Sequence, residues 1–226
     1  MDINNYFDKI VCINLKRRPD RWAESEKQFM KHNLKVLRID AVDGNPMNWK
    51  PANGCFNGKL SSFTGNMGCI ASHLNVYKMA KQNNWKNVLI IEDDCDFTDN
   101  LNEIFQTSIK TLPEDWDLLY FGGTHKTKNG KFIPEEFNQY FVKAKRILTT
   151  SCYAIKNTIY DIAINKILEK EPMFEMPIDG YLATRVQPLC KTYAYHPAIA
   201  WQRPGHSDIQ NAFRDYTHLR KNNIKD

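Results

Sequence analysis

A cluster of acidic residues directly follows a run of four apolar residues near the middle of the chain. Residues 88–91 read Val-Leu-Ile-Ile, and Glu92, Asp93, Asp94 and Asp96 come immediately after them. A short run that is apolar at every position is typical of a strand buried on both faces of a parallel sheet. Ligands of such sheets bind beyond the carboxyl ends of the strands, so the cluster lies where a ligand is expected.

Neighbouring carboxylates repel one another unless a cation lies between them. If the strand continues to residue 94, side-chain alternation places Glu92 and Asp94 on one side and Asp93 on the other. A hard divalent ion, Mn²⁺ or Mg²⁺, prefers oxygen ligands and keeps positions for substrate phosphates. The alternative is a solvated acidic turn in which Asp99 caps the next helix. The buried type of strand before the cluster favours the metal.

A basic turn follows a second apolar strand, which is predicted over residues 10–15. The turn has the sequence Lys-Arg-Arg at residues 16–18, and Pro19 and Asp20 suit the first turn of a helix that reaches about residue 32. Arginine side chains and helix N-terminal amides bind phosphate or carboxylate. The turn is therefore either an anion site or a solvated basic turn.

The next predicted strand, residues 35–40, closes a βαβ unit. An acidic residue at the end of such a strand, here Asp40 or Asp43, can accept hydrogen bonds from a ribose or a base. A helix predicted from residue 65 to about residue 82 follows a long loop and carries Ser72 and His73 near the same edge. A lone histidine on a helix is more often a structural hydrogen-bonding group, so both interpretations stay open for His73.

Two later segments carry further polar groups. Asp179 follows a proline and precedes a short helix, so it is either a helix cap or a carboxylate that faces the cleft. Residues 196–209 are rich in groups that bind phosphate or metal.

Composition limits the classes of protein. The 226 residues, 42% of them hydrophobic, suffice for one sizeable core, and no apolar run has the length of a membrane span. The N-terminus shows no signal-peptide pattern, and none of the six cysteines has Cys-x-x-Cys spacing. We therefore expect reduced thiols and a cytoplasmic protein. The net charge of +5 is spread along the chain, which suits an anionic small ligand and argues against nucleic acid.

The order and spacing of these segments resemble glycosyltransferase family 25, which includes bacterial lipooligosaccharide galactosyltransferases and collagen-modifying sugar transferases. Each motif is weak alone, but together they extend over nearly the whole chain. The matching blocks are residues 13–21, 40–44, 65–73, 88–94, 149–154, 177–179 and 207–209.

The resemblance implies an α/β fold of the GT-A type, with a mostly parallel, Rossmann-like central sheet flanked by helices. It implies one domain over residues 1–226, with a donor-binding half at about 1–98 and an acceptor half with the C-terminal tail at about 99–226. It further implies a UDP-sugar donor, a bound Mn²⁺ or Mg²⁺, and inverting transfer to a hydroxyl of a glycan or of a hydroxylysine in a collagen-like protein.

Site residues carried over from the resemblance fall into three groups. Glu92 and Asp94 stand at the metal motif, where Glu92 replaces the first Asp of the wider fold, and His206 is expected to complete the metal shell, with Asp208 as the alternative. Asp179 is the expected base that deprotonates the acceptor. The expected donor-binding residues are Asn14, Leu15, Arg18, Arg21, Asp40, Asp43, Gly68, Ser72, His73, Asp93, Gln202 and Ser207.

Two other functions compete with a transferase. A nucleotide-sugar-binding module that has lost turnover would keep donor binding without transfer. A nucleic-acid-binding protein would show a steep salt dependence of binding, and the spread of the basic residues ranks it far behind.

Overall fold

A computed structural model describes residues 1–47, 60–127, 130–131, 134–169, 176–209 and 212–215. Most of the long loop expected at residues 45–64 lies outside these ranges. The helix that follows this loop already begins at Leu60, five residues before the expected start, and it ends at Gln82 as predicted.

Six α-helices and fifteen strands are assigned within these ranges. The helices are α1 (Ile3–Tyr6), α2 (Pro19–Lys31), α3 (Leu60–Gln82), α4 (Leu101–Ser108), α5 (Tyr160–Leu168) and α6 (Ile178–Tyr181). The strands are β1 (Lys9–Asn14), β2 (Val36–Asp40), β3 (Asn87–Glu92), β4 (Cys95–Phe97), β5 (Leu118–Tyr120), β6 (Thr124–Thr127), β7 (Gly130–Lys131), β8 (Glu135–Glu136), β9 (Phe141–Lys143), β10 (Ile147–Leu148), β11 (Cys152–Lys156), β12 (Thr192–Tyr195), β13 (Ala200–Gln202), β14 (Gly205–Ser207) and β15 (Ala212–Arg214).

The main sheet has eight strands in the order β2-β1-β3-β11-β5-β12-β9-β8. The pairings make six of these strands run in one direction, with β9 and β11 opposed to them. The predicted α/β class with a mostly parallel sheet is therefore confirmed for the described residues. β1 lies between β2 and β3 and is parallel to both, so the carboxyl ends of the three strands meet at one edge of the sheet.

Alternate residues of the central strands face two different cores. Ile90 and its neighbours on that face pack with α3 and α5, whereas Leu89 and Ile91 pack on the other face with α1, α2 and α4. All four apolar residues before the acidic cluster are completely buried. The prediction of a strand that is covered on both faces is confirmed, because helices lie on each side of the sheet.

β3 ends two residues earlier than the predicted side-chain alternation of Glu92, Asp93 and Asp94 requires. β3 stops at Glu92, Asp93 and Asp94 form a turn, and the chain then enters β4. The turn forms because β4 pairs with β13 outside the main sheet, and the amide of Arg203 donates to the carbonyl of Asp94 at 2.6 Å. Strand alternation therefore does not decide where Glu92 and Asp94 point.

The expected Asp99 cap is also wrong. Asn100 occupies the N-cap position of α4 and makes no capping hydrogen bond through its side chain. Asp99 instead accepts from Lys31 Nζ at 2.5 Å, which ties this turn to the last turn of α2.

Candidate active site

The carboxyl ends of β1, β2 and β3 place three polar residues at one edge of the sheet. Asn14 lies opposite Asp40 in the register of β1 and β2, and Ile13 lies opposite Glu92 in the register of β1 and β3. The N-terminal half of α3 and the chain from β13 to residue 209 close the two sides of this edge. Together they form an open cleft, as expected for ligand sites of α/β sheets.

The cleft contains about 780 Å³ of space, part of it open to solvent. Ten of the residues predicted for the site line it, namely Leu15, Arg21, Asp43, Ser72, His73, Glu92, Asp93, Asp94, Gln202 and Ser207. The tertiary structure thus brings together groups that are almost two hundred positions apart in the sequence.

Asp93 is fixed by partners on two neighbouring elements. Its carboxylate accepts from Asn14 Nδ2 at 2.6 Å and from Arg21 Nη1 at 2.7 Å, and its carbonyl accepts from Ser25 Oγ at 2.9 Å. Burial raises the pKa of Asp93 in spite of the nearby Arg21 charge. Asn14 is fully buried and does not line the cleft, so its side chain acts by holding Asp93.

Asp94 has one oxygen that is satisfied and one that is not. Its Oδ2 accepts from Gln202 Nε2 at 3.1 Å and lies 3.1 Å from Arg21 Nη2. Its Oδ1 is buried and has no hydrogen-bond partner among the described residues. Burial, together with repulsion from Glu92 and Asp93, raises the pKa of Asp94 to about 6 despite the Arg21 charge. A buried anionic oxygen without a partner is a position where a cation would bind.

Glu92 is held by a threonine and a histidine through one carboxylate oxygen. Its Oε1 accepts from Thr150 Oγ1 at 2.6 Å and lies 3.2 Å from His73 Nε2. Burial opposes ionisation of Glu92, but the His73 and Thr150 hydrogen bonds outweigh it and lower the pKa. Glu92 is therefore ionised at neutral pH and has a defined orientation.

Helix α3 approaches the loop after β2 closely enough to require glycine. A Cβ on Gly68 would lie 2.4 Å from the carbonyl oxygen of Val42, and a Cβ on Gly44 would lie 1.8 Å from the carbonyl oxygen of Thr64. Ser72 Oγ donates to the Gly68 carbonyl at 2.6 Å and accepts from the Val42 amide at 2.8 Å. Gly68 thus lets α3 pack closely against the loop after β2, and Ser72 joins the helix to this loop by hydrogen bonds.

The opposite rim of the cleft is a network of paired charges. Arg17 donates to Asp43 and to Asp208, both at 2.6 Å, and Arg18 also donates to Asp208. Burial would raise the pKa of Asp208, but the two arginines outweigh it and lower the pKa. Arg18 itself does not line the cleft and pairs with Asp20 as well. The group of Glu92, Asp93 and Asp94 is called the acidic wall below. The rim differs from this wall because every one of the rim charges has a partner.

Two predicted residues point away from the cleft. Asp40 is exposed and pairs with Lys16 at 3.0 Å. His206 is exposed and is not part of the cleft lining, whereas its carbonyl oxygen accepts from Arg21 Nη2 at 3.1 Å. The alternation of β14 explains this difference, because the neighbouring Ser207 does line the cleft.

Asp179 lies behind the cleft lining at the start of α6. Its carboxylate accepts from the Thr149 amide at 3.1 Å and from the Gly180 amide at 2.7 Å. Thr149 has a φ of 80°, so this hydrogen bond supports a left-handed backbone conformation. Burial and the charge of Glu92 raise the pKa of Asp179 even though both amides act to lower it.

Several lining residues were not predicted from the sequence. They are Ile13, Arg17, Ala41, Val42, Gly44, Asn45, Gly65, Cys69 and Ile209, and the fallback metal residue Asp208 also lines the cleft. Cys69 could have been found, because it lies four positions before His73 and therefore on the same helix face. Arg17 belongs to the predicted basic turn, but the sequence does not show which of its three cations faces the cleft.

A family model described as "Glycosyltransferase family 25 (LPS biosynthesis protein)" matches residues 7–180. The chain belongs to glycosyltransferase family 25. The family match covers the basic turn, the glycine-rich helix, the acidic cluster and Asp179. Gln202 and Ser207 lie beyond it, so their place in the site rests on the structure, which leaves His206 outside the cleft lining.

Curated family 25 relatives match over most of this chain but only part of their own length. "Procollagen galactosyltransferase 1-A" of Xenopus laevis is 28% identical over 193 residues, which are 78% of this chain and 30% of the relative. "Inactive glycosyltransferase 25 family member 3" of Mus musculus is 27% identical over 197 residues, 78% of this chain and 31% of the relative. The chain thus spans about a third of the length of these relatives.

A solved glycosyltransferase supports the fold of this family member. The structure, titled as an enzyme involved in glycosylation of the major capsid of PBCV-1, aligns over 90% of this chain and 95% of its own. The TM-score is 0.52 and the sequence identity is 10%, so the likeness concerns the fold alone. Among the described residues, no helix combines the length and apolar character needed to cross a membrane.

Proposed function

We propose that this family 25 chain is a metal-dependent, inverting glycosyltransferase that moves a sugar from a UDP-sugar to a hydroxyl acceptor. The observation that carries the proposal is the buried, unpartnered Oδ1 of Asp94 beside two more carboxylates in the cleft. The procollagen galactosyltransferase relatives favour galactose and a collagen-like acceptor, and a glycan is the other acceptor class.

The residues at the acidic wall fit a hard divalent cation. Asp94 offers an oxygen without a protein partner, and Glu92 is ionised and oriented in the same cleft. Mn²⁺ or Mg²⁺ bound there would offset the charge that develops on the departing nucleotide diphosphate. His206 is not proposed as a ligand, since its side chain is exposed, and the Asp208 carboxylate is already held by two arginines.

The donor would lie along the carboxyl ends of β1 and β2. Leu15 and Asp43 line this part of the cleft and are proposed to contact the nucleoside, with Arg17 on the rim beside them. Arg21 spans Asp93 and Asp94 and keeps one cation at the wall before any donor binds. Asn14 is proposed to support this wall, because it holds Asp93 without lining the cleft.

Asp179 remains the proposed acceptor base. Burial and the charge of Glu92 raise its pKa, which makes the carboxylate a stronger proton acceptor. The role requires the acceptor hydroxyl to reach a carboxylate that lies just behind the cleft lining. Asp179→Asn is expected to abolish transfer while UDP binding persists, and a thermal melt checks that the Thr149 turn still folds.

Calorimetric titration of UDP with and without Mn²⁺ tests the metal-dependent part. We expect Mn²⁺ to tighten UDP binding in the natural chain and to have no effect in Asp94→Ala. Asp161→Asn is the matched control, because Asp161 is an exposed carboxylate on α5 that pairs with Lys81 and does not line the cleft. Equal UDP affinity with and without Mn²⁺ in the natural chain would overturn the metal-dependent proposal.

A nucleotide-sugar-binding module without turnover is the second candidate. The similarity to a relative named inactive supports it, since the family includes such members. A panel of UDP-sugars, scored for hydrolysis and for transfer in the presence of Mn²⁺, separates the two functions. Turnover that disappears in Asp179→Asn supports the enzyme, whereas binding of a UDP-sugar without any turnover supports the module.

A further inference from the structure

Three side chains of different chemistry converge at the boundary between α3 and β3. Cys69 and His73 lie one helical turn apart on α3, and Glu92 ends β3. One ligand atom from each, the thiol sulfur, an imidazole nitrogen and a carboxylate oxygen, lies within 4.8 Å of the other two. All three residues line the cleft.

These separations are compatible with a single tetrahedral ion. Ligand atoms bound at roughly 2.0–2.3 Å from a tetrahedral centre lie roughly 3.3–3.8 Å from one another. His73 Nε2 and Glu92 Oε1 are already 3.2 Å apart, and the side chain of Glu92 is 24% exposed. The remaining separations, all within 4.8 Å, must shorten to about 3.3–3.8 Å for the set to close around one ion.

Hydrogen bonds from neighbouring residues hold His73 and Glu92 as the outer shell of a metal site would. Tyr153 Oη lies 2.8 Å from His73 Nδ1, and Thr150 Oγ1 donates to Glu92 at 2.6 Å. A tyrosine hydroxyl both donates and accepts. Tyr153 can therefore accept a proton on Nδ1 when zinc replaces the hydrogen that Nε2 shares with Glu92 in the metal-free chain, and this is the usual tautomer at ligating histidines.

The mixture of donors decides which ion fits. Mg²⁺ and Mn²⁺ prefer oxygen ligands only, whereas a thiolate with an imidazole and a carboxylate suits Zn²⁺. Three protein ligands would leave one position of a four-coordinate ion for water or substrate. The cluster therefore differs in chemistry from the all-oxygen group at Asp94.

We propose that Cys69, His73 and Glu92 form a zinc site, in which the thiol proton is released to solvent as the thiolate binds. Because Glu92 belongs to both groups, zinc at this site removes Glu92 from the group that would hold Mn²⁺. Zinc then antagonises metal-dependent donor binding. The zinc site stands independently, and only this antagonism rests on the proposed function.

Cobalt(II) absorption spectroscopy on the full chain tests the site directly. We expect a thiolate-to-cobalt charge-transfer band that zinc displaces, and the complete loss of that band in Cys69→Ser. Cys190→Ser is the matched control and should keep it, because Cys190 is another partly buried thiol, near Thr192 and away from the cleft. Tyr153→Phe should weaken zinc binding by about 10- to 100-fold through its hydrogen bond to His73.

Two results would overturn the zinc site: no thiolate band in the natural chain, or an unchanged band in Cys69→Ser. The antagonism is measured separately, as the loss of the Mn²⁺-induced gain in UDP affinity when zinc is added. If the thiolate band forms but zinc leaves that gain intact, the sharing of Glu92 is wrong. If Mn²⁺ gives no gain even without zinc, the proposed function fails while the zinc site stands.

Discussion

The acidic wall and the charged rim of the cleft contain similar side chains in opposite electrostatic conditions. At the wall, Arg21 is shared between Asp93 and Asp94, and one oxygen of Asp94 has no partner among the described residues. At the rim, Asp208 is shared by Arg17 and Arg18. One arginine serves two carboxylates at the wall, whereas Asp208 at the rim is held by two arginines, which also pair with Asp43 and Asp20.

The pKa directions show the same difference. Burial raises the pKa of Asp94 to about 6, whereas the two arginines lower the pKa of Asp208 below its ordinary value. The comparison teaches that the two regions differ in the partners and burial of their charges more than in the number of those charges. Three predictions test it, in order of decreasing expected effect.

Arg21→Met is expected to have the largest effect. It leaves Asp93 and Asp94 buried without their cation, which should lower the free energy of unfolding by about 3–5 kcal/mol. Urea denaturation at neutral pH, with metal removed by a chelator, measures the loss. Arg17→Met at the rim is the control and should cost less than about 1 kcal/mol, because the Arg17 side chain is 40% exposed. Equal losses in both variants would break the comparison.

Asp94→Asn is expected to stabilise the metal-free chain. The folded-state pKa of Asp94 is raised from 3.8 to about 6, so ionisation of Asp94 opposes folding as the pH rises through this interval. Removing the charge should add about 3 kcal/mol to the free energy of unfolding above pH 6 and nothing below pH 4. Urea denaturation at several pH values, with a chelator present, measures the gain. A destabilised variant at pH 8 would show that the wall is not short of positive charge.

Asp208→Asn is expected to have the smallest effect on the free energy of unfolding. It should destabilise the chain, whereas Asp94→Asn should stabilise it. The lowered pKa means that the Asp208 charge stabilises the fold above the ordinary carboxyl range, and this contribution disappears as the pH falls through the folded-state pKa. The variant should lose up to about 1 kcal/mol at neutral pH and nothing in strong acid. Thermal melts across the acid range measure it, and a loss that grows toward acid would contradict the assignment.

Local sequence patterns predicted the strands of the central sheet that carry the candidate site. The buried strand before Glu92 is recognisable because all four residues before the cluster are apolar, and β1 is recognisable in the same way, whereas β2 contains Arg38 within a shorter apolar segment. The edge position of the acidic residues followed from these strands, since parallel neighbours must end on the same side. Ser72 and His73 were correctly expected near that edge.

Long-range packing explains what the patterns missed. The strand stops at Glu92 because β4 pairs with β13, a segment about a hundred positions away, and no local signal reports that pairing. The tail docks through Asp208 on the basic turn and through Gln202 on Asp94, and the same docking leaves His206 exposed. Asp179 supports the turn at Thr149 through its backbone amide, which a sequence motif does not reveal.

The sequence by itself determined that a buried strand delivers carboxylates to a sheet edge beside a basic turn, because apolar runs and charge clusters are local features. Only the tertiary structure decided which carboxylate oxygen lacks a partner, which arginine faces the cleft and which thiol joins His73 and Glu92. Those outcomes depend on partners far away in the chain, and burial, which turns proximity into a change of pKa or a ligand site, exists only after the elements have packed.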